Sequence, residues 1–130
     1  MTTGAAHIRV RRPRVLLLGE GNFSFAQAYA VQHPESEIFA TSFDSEIDVR
    51  TKYPEALSCL EALSRHDHAS LHYGIDATAL SGTDFGLEFD LILFNHPHSG
   101  SEHLQRHQSL LSHFFHSARN VTDPEEGEIR

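Results

Sequence analysis

Val15-Leu16-Leu17-Leu18 is the first continuous apolar run of the chain, and it follows a stretch of small, polar and basic residues over 1–14. Four apolar residues in a row, without polar alternation, predict a short strand buried on both faces, as at the centre of a parallel sheet. Gly19-Glu20-Gly21-Asn22 then breaks the run. Phe23 to His33 predicts a helix: Ala26, Ala28 and Ala30 favour it, Asn22 is placed to cap it, and Pro34 stops it. Glu37 to Ser42 predicts a second strand, centred on Ile38-Phe39-Ala40-Thr41. Ser45 to Leu63 reads as a helix broken near Tyr53-Pro54, with Leu57, Leu60 and Leu63 at helical spacing in its second part. Ser70 to Tyr73 is a weaker strand, and Phe89-Asp90-Leu91-Ile92-Leu93-Phe94 a strong one. His103 to Asn120 carries the longest helical pattern, and Glu128-Ile129-Arg130 an incipient strand.

Short apolar strands alternating with helices predict an α/β fold: four main parallel strands, right-handed crossovers and flanking helices. The chain divides into a basic flexible arm, 1–14, and one domain, 15–130. A sheet whose last strand has two or three residues reads as incomplete, which suggests a shortened piece of a larger domain with its fourth strand at an edge.

Composition narrows the function classes. The 130 residues suit one domain, and 39% hydrophobic content supports a modest core. Ten basic against eighteen acidic side chains give a formal charge of -8, so general electrostatic binding to nucleic acid is not advertised. Arg9-Val10-Arg11-Arg12-Pro13-Arg14 is the exception, either a solvated lead-in to the first strand or an RNA-contacting patch. Cys59 is the single cysteine, which excludes an intrachain disulfide and a Cys-only metal site. It reads as a small packing residue. No apolar run approaches the roughly 20 residues that cross a bilayer, and no membrane partner is expected.

Candidate chemistry gathers at the carboxyl ends of the predicted strands, where α/β sheets bind ligands. Gly19-Glu20-Gly21-Asn22-Phe23 lies between a buried strand and a helix start, which offers N–H groups to an anion or carboxylate. It is neither a dinucleotide fingerprint, since Ser24 stands at the third glycine position, nor a Walker A loop. Asp44, just past the second strand, is placed either to accept from ribose hydroxyls or as a solvated turn residue. Asp76, after the third, either accepts from an adenine amino group or closes an Asx-type turn near Thr78. Asn95-His96-Pro97-His98-Ser99-Gly100 follows the fourth strand: Asn95 suits orientation of a planar base, and His96 or His98 suits removal of a proton. The alternative is a loop capped by hydrogen-bonded histidines. The eleven histidines, including His66, His68, His103 and His107, form no closed ligand set, so no metal site is expected.

In their order and spacing, Leu16-Leu17-Leu18-Gly19-Glu20-Gly21-Asn22-Phe23-Ser24-Phe25, Ala40-Thr41-Ser42-Phe43-Asp44-Ser45, Tyr73-Gly74-Ile75-Asp76-Ala77-Thr78 and Phe94-Asn95-His96-Pro97-His98-Ser99-Gly100 resemble the Bmt5-like family of Rossmann-like methyltransferase domains. The resemblance spans roughly residues 14–130. It implies a class I methyltransferase sheet, S-adenosylmethionine as cofactor, and methylation of RNA, with uridine N3 of ribosomal RNA as the expected acceptor. It further implies that Gly19, Glu20 and Gly21, with Asn22 and Phe23, surround the methionine part of the cofactor. Asp44 would meet its ribose, Asp76 its adenine end, and Asn95, His96 and His98 the target base. His96 stands where the family usually has Phe, which turns an apolar surface into a titratable one. The implied setting is the nucleolus or nucleus, with the cytoplasm as alternative, and the implied partner is RNA; the incomplete sheet, apart from the resemblance, leaves room for a protein partner that completes the fold. Two rival readings stay open: a cofactor-binding remnant without catalysis, and a protein-interaction fragment.

Overall fold

The structure is a computed structural model that describes residues 11–80, 85–94, 114–122 and 127–129. Its elements run β1 (Arg14–Leu18), α1 (Ser24–Gln32), β2 (Glu37–Thr41), α2 (Glu46–Lys52), α3 (Ala56–Ser64), β3 (Ala69–His72), β4 (Leu91–Phe94) and β5 (Glu128–Ile129). Residues 114–118 are helical, within the last predicted helix, whose residues 103–113 lie outside the described ones. The strands form one sheet in the order β3-β2-β1-β4-β5, and all neighbours are parallel.

The uninterrupted apolar run explains the central place of β1. Alternate side chains of a strand leave opposite faces. Val15 and Leu17 join Ile38 and Ala40 in one core, with Phe23, Ala26 and Ala30 of the first crossover and Val49, Ala56, Leu60 and Leu63 of the second. Leu16 and Leu18 join Phe39 and Ile92 in the other, closed by Leu80, Phe89, Phe114, Ala118 and Val121. Cys59 packs half-buried against the first core, as expected. The break at Tyr53-Pro54 lies where the sequence places it and separates α2 from α3. Ser45 caps α2 by accepting the Asp48 N–H at 3.2 Å.

Two expectations are corrected. The four main strands and the incipient fifth form as expected, but β4 is not at an edge, because the two residues of β5 pair with Leu91 and Ile92 and cover it. Glu128 N–H donates to the Asp90 carbonyl at 2.8 Å to start that pairing. Asn22 is not the N-cap of α1. Phe23 holds that place, fully buried, with the left-handed φ of 66°. Asn22 instead accepts the Ser24 N–H at 3.0 Å, one residue too early for a cap.

Part of the arginine-rich stretch is docked. The carboxylate of Asp90 accepts the Arg14 N–H at 2.8 Å and an Arg11 guanidinium N–H at 3.0 Å, which ties the start of β1 to β4. Asp90→Ala is expected to cost about 2 kcal/mol, because it strips a charged acceptor from a half-buried backbone donor. Urea unfolding checks this; a midpoint equal to that of the parent chain would show that the latch is decorative.

Candidate functional site

The carboxyl ends of β1, β2 and β3 are bound to one another by backbone hydrogen bonds. Glu20 N–H donates to the Thr41 carbonyl at 3.0 Å, so the glycine turn leans on the end of β2. Thr41 returns the contact: its buried hydroxyl donates to the Leu17 carbonyl at 2.9 Å. Ser42 N–H donates to His72, Ile75 N–H to Ser42, and Gly74 N–H to Asp44, at 3.0 to 3.1 Å. Gly19 needs no side chain because its φ is 71°, a backbone conformation costly to any residue with a Cβ. The three segments that the sequence places at strand ends therefore meet on one rim.

Glu20 is the least expected member. Between two glycines it reads as a turn residue open to water, yet it is 3% exposed. Its Oε1 accepts the Ala26 N–H at 3.0 Å, which serves the first turn of α1 from below. Its Oε2 is buried and has no hydrogen-bond partner among the described residues. Desolvation raises its pKa to about 7, and the Ala26 bond offsets only part of that. A buried carboxylate oxygen without a donor is costly.

Gly21 lies beside the α2–α3 break. A Cβ placed on it would stand 3.5 Å from Cζ and Oη of Tyr53. Asn22 reaches the same break, with its amide 3.5 Å from Glu55 Oε2, a long contact. Asp44 is one-fifth exposed and accepts the Lys52 ammonium at 3.1 Å. That bond to Asp44 is also the main reason the Lys52 pKa is raised. Asp76 closes the Asx-type turn that was one of its two readings, accepting Thr78 N–H at 2.8 Å and Thr78 hydroxyl at 2.7 Å through the same Oδ1. Asn95, His96 and His98 lie outside the described residues. Among the described residues no group of three or more His, Cys, Asp or Glu side chains is arranged to hold a metal. No described helix is long and apolar enough to cross a membrane.

The rim thus offers a buried acceptor at Glu20, a side-chain-free backbone at Gly21 and a paired carboxylate at Asp44. Sequence reasoning missed Tyr53 and Lys52. Tyr53-Pro54 announces a helix break, but nothing in the one-dimensional pattern says that the break comes back to the glycine turn.

Uncharacterized protein At4g26485 of Arabidopsis thaliana is 33% identical over 128 residues, covering 89% of this chain and 60% of that protein. Ferredoxin-fold anticodon-binding domain-containing protein 1 of Homo sapiens is 36% identical over 121 residues, covering 89% of this chain and 19% of that protein. The chain therefore spans three-fifths of the first relative and about a fifth of the second. Among solved structures, a chain of the fibrillarin/Nop5p complex superposes with a TM-score of 0.57 at 17% identity, covering 95% of this chain and 52% of that one. PKMT2 from Rickettsia typhi gives 0.57 at 15% identity, covering 91% and 21%. These likenesses show the fold, a Rossmann-like α/β sheet. The profile described as BMT5-like, rRNA (uridine-N3-)-methyltransferase BTM5-like, matches residues 16–130. With a match over nearly its whole length and the glycine turn, Asp44 and Asp76 gathered on one rim, this chain belongs to the BMT5-like family of Rossmann-like methyltransferases.

Proposed function

We propose that this chain binds S-adenosylmethionine at the rim of β1, β2 and β3 and transfers its methyl group to RNA, with uridine N3 of ribosomal RNA as the acceptor. The observation that carries the reading is Glu20 Oε2, a buried acceptor with no donor among the described residues, set in the turn between Gly19 and Gly21. The residues fit the cofactor. Glu20 suits its ammonium group, and the positive end of α1 suits its carboxylate. Asp44 suits the ribose hydroxyls, and the Lys52 contact holds that carboxylate in place. Asp76 uses only Oδ1 in its turn, which leaves Oδ2 for the adenine amino group.

The cofactor, when bound, supplies a methyl group already activated by a sulfonium. The chain's task is alignment and exclusion of water. For uridine N3 a proton must leave the attacking nitrogen; His98 is assigned to take it, Asn95 to orient the base, and His96 to face it. The acceptor base must be unpaired or extruded from its stack. RNA affinity at a net charge of -8 calls for a partner protein or further basic surface. The nucleolus or nucleus is the matching setting, and the cytoplasm the alternative.

That same charge favours a second reading, cofactor binding without transfer. Calorimetry with S-adenosylmethionine, followed by digestion and mass analysis of ribosomal RNA incubated with the chain, separates the two. Saturable 1:1 binding with 3-methyluridine in the digest is the expected result. Binding without methylated RNA moves the chain to the second reading. A folded chain that binds no cofactor overturns both.

A further inference from the structure

The α2–α3 break is built more firmly than a simple helix interruption requires. Tyr53 N–H donates to the Val49 carbonyl at 2.9 Å, and the Tyr53 carbonyl accepts the Ala56 N–H at 2.8 Å. Val49 and Ala56 are both fully buried in the first core. The backbone of Tyr53 is thus clamped on either side by residues that cannot move without opening that core. The half-buried ring is delivered to the glycine turn, with its hydroxyl end, not its stem, among the atoms nearest to the space a Gly21 side chain would fill.

A ring that only filled space there would need no hydroxyl. Tyr53 Oη makes no hydrogen bond to any described residue, while the turn it touches holds the buried acceptor of Glu20. A phenol donates well to a carboxylate and retains a lone pair for an ammonium N–H. We propose that Tyr53 is a binding residue for the amino-acid end of the cofactor, its hydroxyl donating to the carboxylate while Glu20 accepts from the ammonium. The proposal rests on the reading of the turn as the cofactor site and adds a member from a different part of the chain. The φ of Gly21 does not demand glycine, so its missing side chain keeps the backbone beside the Tyr53 hydroxyl open to the ligand.

The test is Tyr53→Phe in the whole chain, titrated calorimetrically with S-adenosylmethionine, S-adenosylhomocysteine and 5′-methylthioadenosine, which lacks the amino-acid end. The ring stays, so the melting temperature should be unchanged. Loss of one hydrogen bond to a charged group should weaken the first two ligands by about tenfold and leave the third unaffected. Equal weakening of all three, or of none, overturns the proposal while the cofactor site stands. Failure of the parent chain to bind any of the three overturns the site reading itself, and Tyr53 with it.

Discussion

Gly21→Ala is expected to leave the fold standing and to weaken S-adenosylmethionine binding by about 30-fold or more. The added methyl would meet Tyr53 Cζ and Oη at 3.5 Å, ordinary van der Waals contact, and φ at Gly21 lies outside the left-handed region. Folding therefore pays little, and the unfolded chain even loses some freedom. A ligand that must approach the backbone meets the methyl directly. Forcing one extra methyl into a filled contact costs about 2 kcal/mol, which is about 30-fold in affinity. Gly19→Ala is the contrasting variant. Its φ of 71° makes a Cβ strained, so about 1–2 kcal/mol of stability should be lost before any ligand is added. Thermal melts and calorimetry on both variants decide the matter. If Gly21→Ala binds as the parent chain does, the cofactor does not lie on the turn.

The affinity for S-adenosylmethionine should rise about tenfold between pH 6 and pH 8. Burial holds the Glu20 carboxyl at about 7, so most molecules carry a proton on it at pH 6. A cofactor ammonium prefers the carboxylate, and binding at pH 6 must first remove that proton, one pH unit of work. Calorimetry in buffers of different ionisation enthalpy should detect proton release that fades above pH 8. The same group governs stability without ligand. Its folded pKa lies above the ordinary 4.5, so the folded state binds more protons and stability is lost as pH climbs from about 4.5 through 7. The loss amounts to about 3 kcal/mol, and saturating cofactor should offset it. Glu20→Gln should flatten the affinity profile and so separate Glu20 from the eleven histidines. A profile that keeps its slope in that variant would assign the proton elsewhere.

Much of the fold was legible because its signals are local. Val15 to Leu18 has no polar member, and only a strand covered on both faces tolerates that. Pro54 cannot continue a helix, so the α2–α3 break was visible. The place of Asp44 and Asp76 at strand ends follows from strand order alone. What could not be read depends on residues far apart in the chain. Glu20 looks like a surface turn residue until α1 folds over it and Ala26 claims one oxygen. Phe23 is a poor candidate for a left-handed cap, and only its complete burial in the first core accounts for it. Asp90 reads as one polar residue in an apolar strand until β1 is laid beside it.

The hydrogen bonds of the sheet also set an order of assembly. Thr41 reaches Leu17 across 24 positions and Ser70 reaches Ile38 across 32, whereas Arg14 reaches Asp90 across 76. Closing the longest of these loops costs about 1 kcal/mol more entropy than closing the shortest. The strands that carry the glycine turn, Asp44 and Asp76 are therefore expected to pair early, with β4 joining after them. Near-neighbour pairing of this kind speeds folding. On a growing chain, every strand of the rim assigned to the cofactor is synthesised before the segment assigned to the acceptor base.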